Sequence, residues 1–145
     1  MILKITTDGK GKKDILIFLA EQLAQAGYVK DTYKDGILKR EEIYPTGLFT
    51  GAINVAVPHT DCIHVNEDSI AVGLLNRPVN FKAMDNPEKD VPVSIVMMLA
   101  LQEAHGQITM LQKIMALVKE QELLKNLLKM NDLQKIYQII SNYLK

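Results

Sequence analysis

At 145 residues and 16.3 kDa the chain is close to the commonest size of one folding unit, and it can bury a core without disulfides or a structural metal. Seventeen basic and seventeen acidic residues cancel, which excludes the global field that gathers nucleic acid or an anionic membrane surface. With 48% hydrophobic and 23% charged residues no stretch is poor enough in apolar side chains to stay disordered, so a single domain over residues 1–145 is expected.

A short strand is predicted over residues 2–6, closed by the turn cluster Asp8-Gly9-Lys10-Gly11. From Asp14 to Ala26, Ile15, Leu19 and Leu23 recur at i, i+4 and i+8, which predicts an amphipathic helix with Gly27 as its stop. A second helix is expected over Asp31–Glu42, with Tyr33, Ile37 and Leu38 inward, until Pro45 forbids continuation. The period then changes. Residues 52–57, 70–75 and 91–101 are mostly apolar, β-branched runs, bounded by Pro58, by Arg77-Pro78 and by the polar 85–90 stretch, and read as strands of a covered sheet. Beyond Gly106 the helical period returns in three blocks, around Ile108–Val118, Leu123–Leu128 and Leu133–Leu144, the last opened by Asn131-Asp132 as cap candidates. Helices on either side of a block of strands imply an α/β domain of three layers, α/β/α, with connections too irregular for a simple βαβ repeat.

The longest apolar stretch, around Ile95 to Leu101, is far below the roughly 20 residues of a spanning helix, so no membrane insertion is expected. The N-terminus has neither an apolar run nor a cleavage site, and Cys62 is the one cysteine, which together predict a reducing, cytoplasmic setting.

Three residues stand where chemistry could be carried. His59, in Val57-Pro58-His59-Thr60-Asp61, follows a proline that ends a strand, the end at which open α/β sheets usually present ligands. A neutral imidazole there can attack phosphorus and hold the group as a reactive phosphoramidate, although an ordinary surface-loop histidine fits the same residues. His105, in Glu103-Ala104-His105-Gly106, lies between the most apolar strand and a helix; if the two strands are parallel neighbours, both imidazoles reach one edge, and if not, His105 is a helix-capping residue. Arg40 ends a helix in Lys39-Arg40-Glu41-Glu42, with a fork suited to phosphoryl oxygens but in a charge run that would ordinarily face water. One cysteine and three histidines lack the pairs a zinc site needs, so no metal is expected. A Cys62–His64 nucleophile pair is disfavoured, because residues two apart on an extended loop point oppositely, which leaves a small buried thiol and an exposed imidazole. The glycines form neither a Walker loop nor a dinucleotide fingerprint, so no nucleotide cofactor is expected.

Taken together, Arg40-Glu41-Glu42, Pro45-Thr46-Gly47, Val57-Pro58-His59, Pro78-Val79, His105 and Leu111 resemble, in order and spacing over about residues 12–141, the fructose/mannitol-type enzyme IIA of the bacterial sugar phosphotransferase system. The resemblance implies that His59 takes a phosphoryl group from the carrier HPr and passes it to a cysteine of a cognate enzyme IIB, which serves the membrane enzyme IIC. His105 would hold the phosphoryl oxygens and Arg40 would offset their charge, with no metal or other cofactor at this station. Many members carry Pro-His-Gly, whereas Pro58-His59-Thr60 and Glu103-Ala104-His105-Gly106-Gln107 look more like the galactitol branch. A regulatory relative, whose phosphorylation state governs a binding partner, is the alternative. Leu48, Phe49 and Ile63 are expected on an apolar docking rim.

Overall fold

The computed structural model describes residues 1–145 and contains a five-stranded sheet between two helical layers. The elements in order are β1 (Ile2–Ile5), α1 (Lys12–Gln25), α2 (Tyr33–Ile43), β2 (Gly47–Leu48), β3 (Asn54–Ala56), a 3-10 turn (Cys62–His64), β4 (Ser69–Lys82), β5 (Asp90–Ala100), α3 (Ala104–Val118), α4 (Gln121–Lys129) and α5 (Leu133–Tyr143). The strand order is β1-β4-β5-β3-β2, with β1 parallel to β4, β3 parallel to β5, and the pairs β4–β5 and β2–β3 antiparallel, so the sheet is mixed.

Local chemistry explains the ends of the helices. Asp14 Oδ2 accepts from the Gly11 amide at the entry to α1. At its exit Gly27 adopts φ +83°, which lets the Tyr28 amide reach the Leu23 carbonyl and the Gly27 amide reach that of Ala24, the paired bonds of a glycine-terminated helix. The Asp132 carboxylate accepts from the Gln134 and Lys135 amides and opens α5. Ile15, Leu19 and Leu23 are fully buried, as their spacing predicts, whereas Phe18 lies on the open side of α1.

The two faces of β5 show why the domain has three layers. Val91, Val93, Val96, Met98 and Ala100 face α1 and α2; Ile95, Met97 and Leu99 face α3, α4 and α5. The alternation skips a residue at Ser94, where the β3 partner register jumps from Val93 to Ile95 and the β4 register shifts between Leu74 and Val79.

That irregularity corrects one expected boundary. Arg77-Pro78 does not end the strand: β4 runs on to Lys82, because Pro78 falls in the shifted stretch, where no ladder bond is demanded of its missing N–H. The run at 52–57 is likewise shorter than predicted. Its ordered part is β3, preceded by the two-residue β2, and Asn54 Oδ1 accepts from the Thr50 and Gly51 amides to close the turn between them. No helix is long and apolar enough to cross a membrane.

Candidate active site

The condition set for the two histidines is met: β3 and β5 are parallel neighbours, so the segments that follow them leave the same edge of the sheet. The Leu99 amide donates to the Pro58 carbonyl at 2.9 Å and the Val57 amide donates to the Thr46 carbonyl at 3.2 Å, which ties the chain on both sides just before His59. Pro58 brings no donor of its own, and the chain leaves the sheet at His59.

The imidazole of His59 is half-buried, and its Nδ1 lies 2.8 Å from the Val57 carbonyl oxygen. A carbonyl only accepts, so Nδ1 carries the proton and the free lone pair is on Nε2. Burial lowers the imidazole's pKa below its ordinary 6.5; the Val57 carbonyl opposes that shift and the Arg40 guanidinium reinforces it. The result is a neutral imidazole with one defined tautomer.

Arg40 is therefore not a solvated member of a charge run. Its charge acts on His59, its Cζ lies 5.1 Å from the centre of the Tyr44 ring, and its Nε is buried with no hydrogen-bond partner. An unmet cationic donor beside a neutral imidazole suits an anion arriving there. His105 lies in the first turn of α3 with its side chain exposed; Glu103, not His105, is the capping residue. The Gln107 amide closes the first turn on Glu103, and the Gln107 side chain donates to the Thr60 carbonyl at 3.0 Å, joining α3 to the His59 loop. His59 and Arg40 are thus electrostatically joined, while His105 borders the same edge without a hydrogen bond to either.

A polar cavity of about 480 Å³ opens beside this loop, lined among others by Lys39, Arg40, Thr60, Asp61 and His64. His64 is half-buried and not exposed as expected: its Nδ1 lies 2.7 Å from Thr32 Oγ1, across the entry to α2. Cys62 is also half-buried, 3.6 Å from Gln107 Nε2, and does not pair with His64. Phe49 and Ile63 are exposed at 57% and 70%, whereas Leu48 is half-buried and packs on the core under α3 to α5. No group of three or more His, Cys, Asp or Glu side chains is arranged to hold a metal ion.

Two further residues shape the site and escaped the sequence reading. A Cβ at Gly36 would lie 2.9 Å from Thr60 Oγ1 and 3.2 Å from His64 Nε2, so the absent side chain is what lets α2 approach the histidine loop. Its signal was a glycine inside a helical pattern. Glu41 is 3% exposed, and its carboxyl group accepts from the Thr46 amide at 3.0 Å and contacts Thr46 Oγ1 with both oxygens. Its signal was the i, i+4, i+8 stripe of Tyr33, Ile37 and Glu41.

The family described as "Phosphoenolpyruvate-dependent sugar phosphotransferase system, EIIA 2" matches residues 2–143. The chain belongs to this family. The galactitol-specific EIIA component of Escherichia coli K12 is 24% identical over 123 residues, 85% of this chain and 81% of that one. A nitrogen regulatory protein of Bradyrhizobium diazoefficiens is 29% identical over 133 residues, 90% of this chain and 82% of that one. Among solved structures, the complex of the mannitol enzyme IIA with phosphorylated enzyme IIB of Escherichia coli contains a chain that superposes with a TM-score of 0.70 at 18% identity, covering 91% of this chain and 88% of that one. This chain thus belongs to a family of phosphotransfer components and has the mixed α/β/α fold of the mannitol enzyme IIA.

Proposed function

We propose that this EIIA is a phosphoryl carrier working through Nε2 of His59. The carrying observation is the 2.8 Å bond from Nδ1–H to the Val57 carbonyl, which leaves Nε2 with its lone pair free. In the reaction the Nε2 lone pair attacks phosphorus of the phosphohistidine of HPr. The donor P–N bond breaks, and its electron pair returns to the donor imidazole. His59 then carries the group as a phospho-imidazolium that keeps its Nδ1 proton on Val57, and that positive charge keeps it a good leaving group for the second transfer, to a cysteine thiolate of enzyme IIB.

Arg40 offsets the charge of the three phosphoryl oxygens, and its unpartnered Nε supports that role. His105 hydrogen-bonds those oxygens from the first turn of α3, where the helix dipole adds to the attraction. Phe49 and Ile63 form part of the rim on which HPr and enzyme IIB dock in turn. The likeness to the galactitol-specific component supports a galactitol-type system, whose membrane enzyme IIC binds the sugar.

Incubation with phosphoenolpyruvate, enzyme I and HPr, followed by mass-spectrometric localisation, tests this reading. One acid-labile phosphate on His59 is expected and none on His59→Gln; retention of the label in His59→Gln refutes the site. The likeness to a nitrogen regulatory protein favours a second reading, in which the phosphorylation state governs a binding partner. Rapid transfer to a galactitol-type enzyme IIB supports transport, and no transfer to any of several enzymes IIB supports regulation.

A further inference from the structure

A run of hydrogen bonds joined through the backbone of Thr46 and of Val57 leads from a buried carboxyl group to the His59 imidazole. Glu41 accepts from the Thr46 amide at 3.0 Å and meets its hydroxyl at 2.9 and 3.0 Å; the Thr46 carbonyl accepts from the Val57 amide at 3.2 Å; the Val57 carbonyl accepts from His59 Nδ1 at 2.8 Å. Every group in the run is held by a neighbour that is itself buried: Glu41, Thr46 and Val57 are each less than 4% exposed. Burying a carboxyl group is expensive, and here it meets a Thr46 amide and hydroxyl that are themselves buried away from water. What Glu41 adds is a fixed position for the Thr46 amide and hydroxyl, and so, through the backbone of that residue, for the Thr46 carbonyl and the Val57 residue that bonds to it.

We infer that Glu41 is a positioning residue for His59, holding the Val57 carbonyl where it selects the Nδ1–H tautomer and aims Nε2 at the incoming phosphorus. This rests on the carrier reading only for its effect on rate; the tautomer is a property of the free protein. Burial pushes the Glu41 carboxyl up to about 7, against the Thr46 bonds and the charge of Lys12, in keeping with a group kept for position in spite of its charge.

The test uses Glu41→Met, which keeps length and apolar packing but removes the acceptor, and Glu41→Gln, whose amide can still accept from the Thr46 amide and donate to its hydroxyl. Long-range proton–nitrogen NMR of the full chain reads the His59 tautomer with no phosphoryl donor present. A single Nδ1–H form is expected in the wild type and in Glu41→Gln, and a mixture of both tautomers in Glu41→Met. Phosphoryl uptake from phospho-HPr should fall roughly 10- to 100-fold in Glu41→Met with little change in apparent affinity for the donor, and recover in Glu41→Gln. A folded Glu41→Met protein that keeps the wild-type tautomer overturns the inference. If Glu41→Met does not fold, Glu41→Leu, shorter and equally without an acceptor for the Thr46 amide, decides: a mixed tautomer supports the inference and a wild-type one overturns it. Should the wild type take no phosphate from HPr while the tautomer responds as expected, the carrier reading fails and the positioning role stands.

Discussion

Replacing Glu41 by glutamine should stabilise the protein in neutral and alkaline solution and leave it nearly unchanged in acid. Burial raises this carboxyl from its ordinary 4.5 to about 7, so between those values the folded chain holds a proton that the unfolded chain has released. Stability therefore falls as pH rises through that window: the cost is absent below 4.5 and complete above 7. Integrating the proton difference between pH 5 and pH 8 gives a loss of about 2.5 kcal/mol from this one group. Glutamine has no charge to bury, and its oxygen and amide nitrogen can meet the Thr46 amide and hydroxyl, so this contribution disappears from its profile. Urea unfolding of both proteins at pH 5, 6, 7 and 8 measures the effect as the difference in midpoint, with an unchanged denaturant slope confirming that the same structure unfolds. Parallel stability profiles for the two proteins over that range would refute the reasoning.

Three other outcomes are expected. In Gly36→Ala the added Cβ displaces Thr60 and His64, while alanine gains about 1 kcal/mol of helix propensity over glycine, so stability should change little and phosphoryl uptake should slow roughly tenfold; urea melts paired with a transfer assay check both, and an unchanged rate refutes the packing argument. In Gly47→Ala the new Cβ would lie 2.7 Å from the Lys82 carbonyl oxygen, a backbone atom held in the sheet that cannot rotate aside, so thermal unfolding should register a loss of about 1–3 kcal/mol. The Cε1 proton of His59 should titrate with a midpoint below 6.5 in the wild type, because burial and Arg40 both disfavour the imidazolium, and the midpoint should rise in Arg40→Gln.

Much of the fold was legible because it follows from period. The stripes of α1 and α2 and the apolar run of β5 read directly as buried faces, and Gly27 and Asp132 marked helix ends by the conformations and bonds their side chains permit or supply. The bulge at Ser94 was not legible, since one skipped residue leaves an unbroken apolar run looking like any other; for the same reason Arg77-Pro78 read as an end when it is the place where pairing is relaxed. At the candidate site, His59 and Arg40 were visible as residue types in a suggestive order, and the parallel pairing of β3 and β5 had to be assumed. Glu41 was hidden by its neighbours: a glutamate between Arg40 and Glu42 looks solvated until its phase relative to Tyr33 and Ile37 is counted.

The choice of a backbone carbonyl as the partner of His59 Nδ1 bears on what a carrier must do twice. A carboxylate in that position would fix the same tautomer, but its charge would raise the imidazole's pKa and hold much of it as an imidazolium with no lone pair to offer. It would also repel the phosphoryl dianion. The Val57 carbonyl fixes the tautomer with a dipole instead of a charge, and the buried carboxyl group that we infer positions it, Glu41, lies three hydrogen bonds away. Negative charge is thereby kept at a distance from Nε2, the proposed phosphoryl acceptor, while Arg40 supplies positive charge nearby. Under the proposed carrier role, a site built this way would take up the group from one partner without holding it too firmly to release to the next.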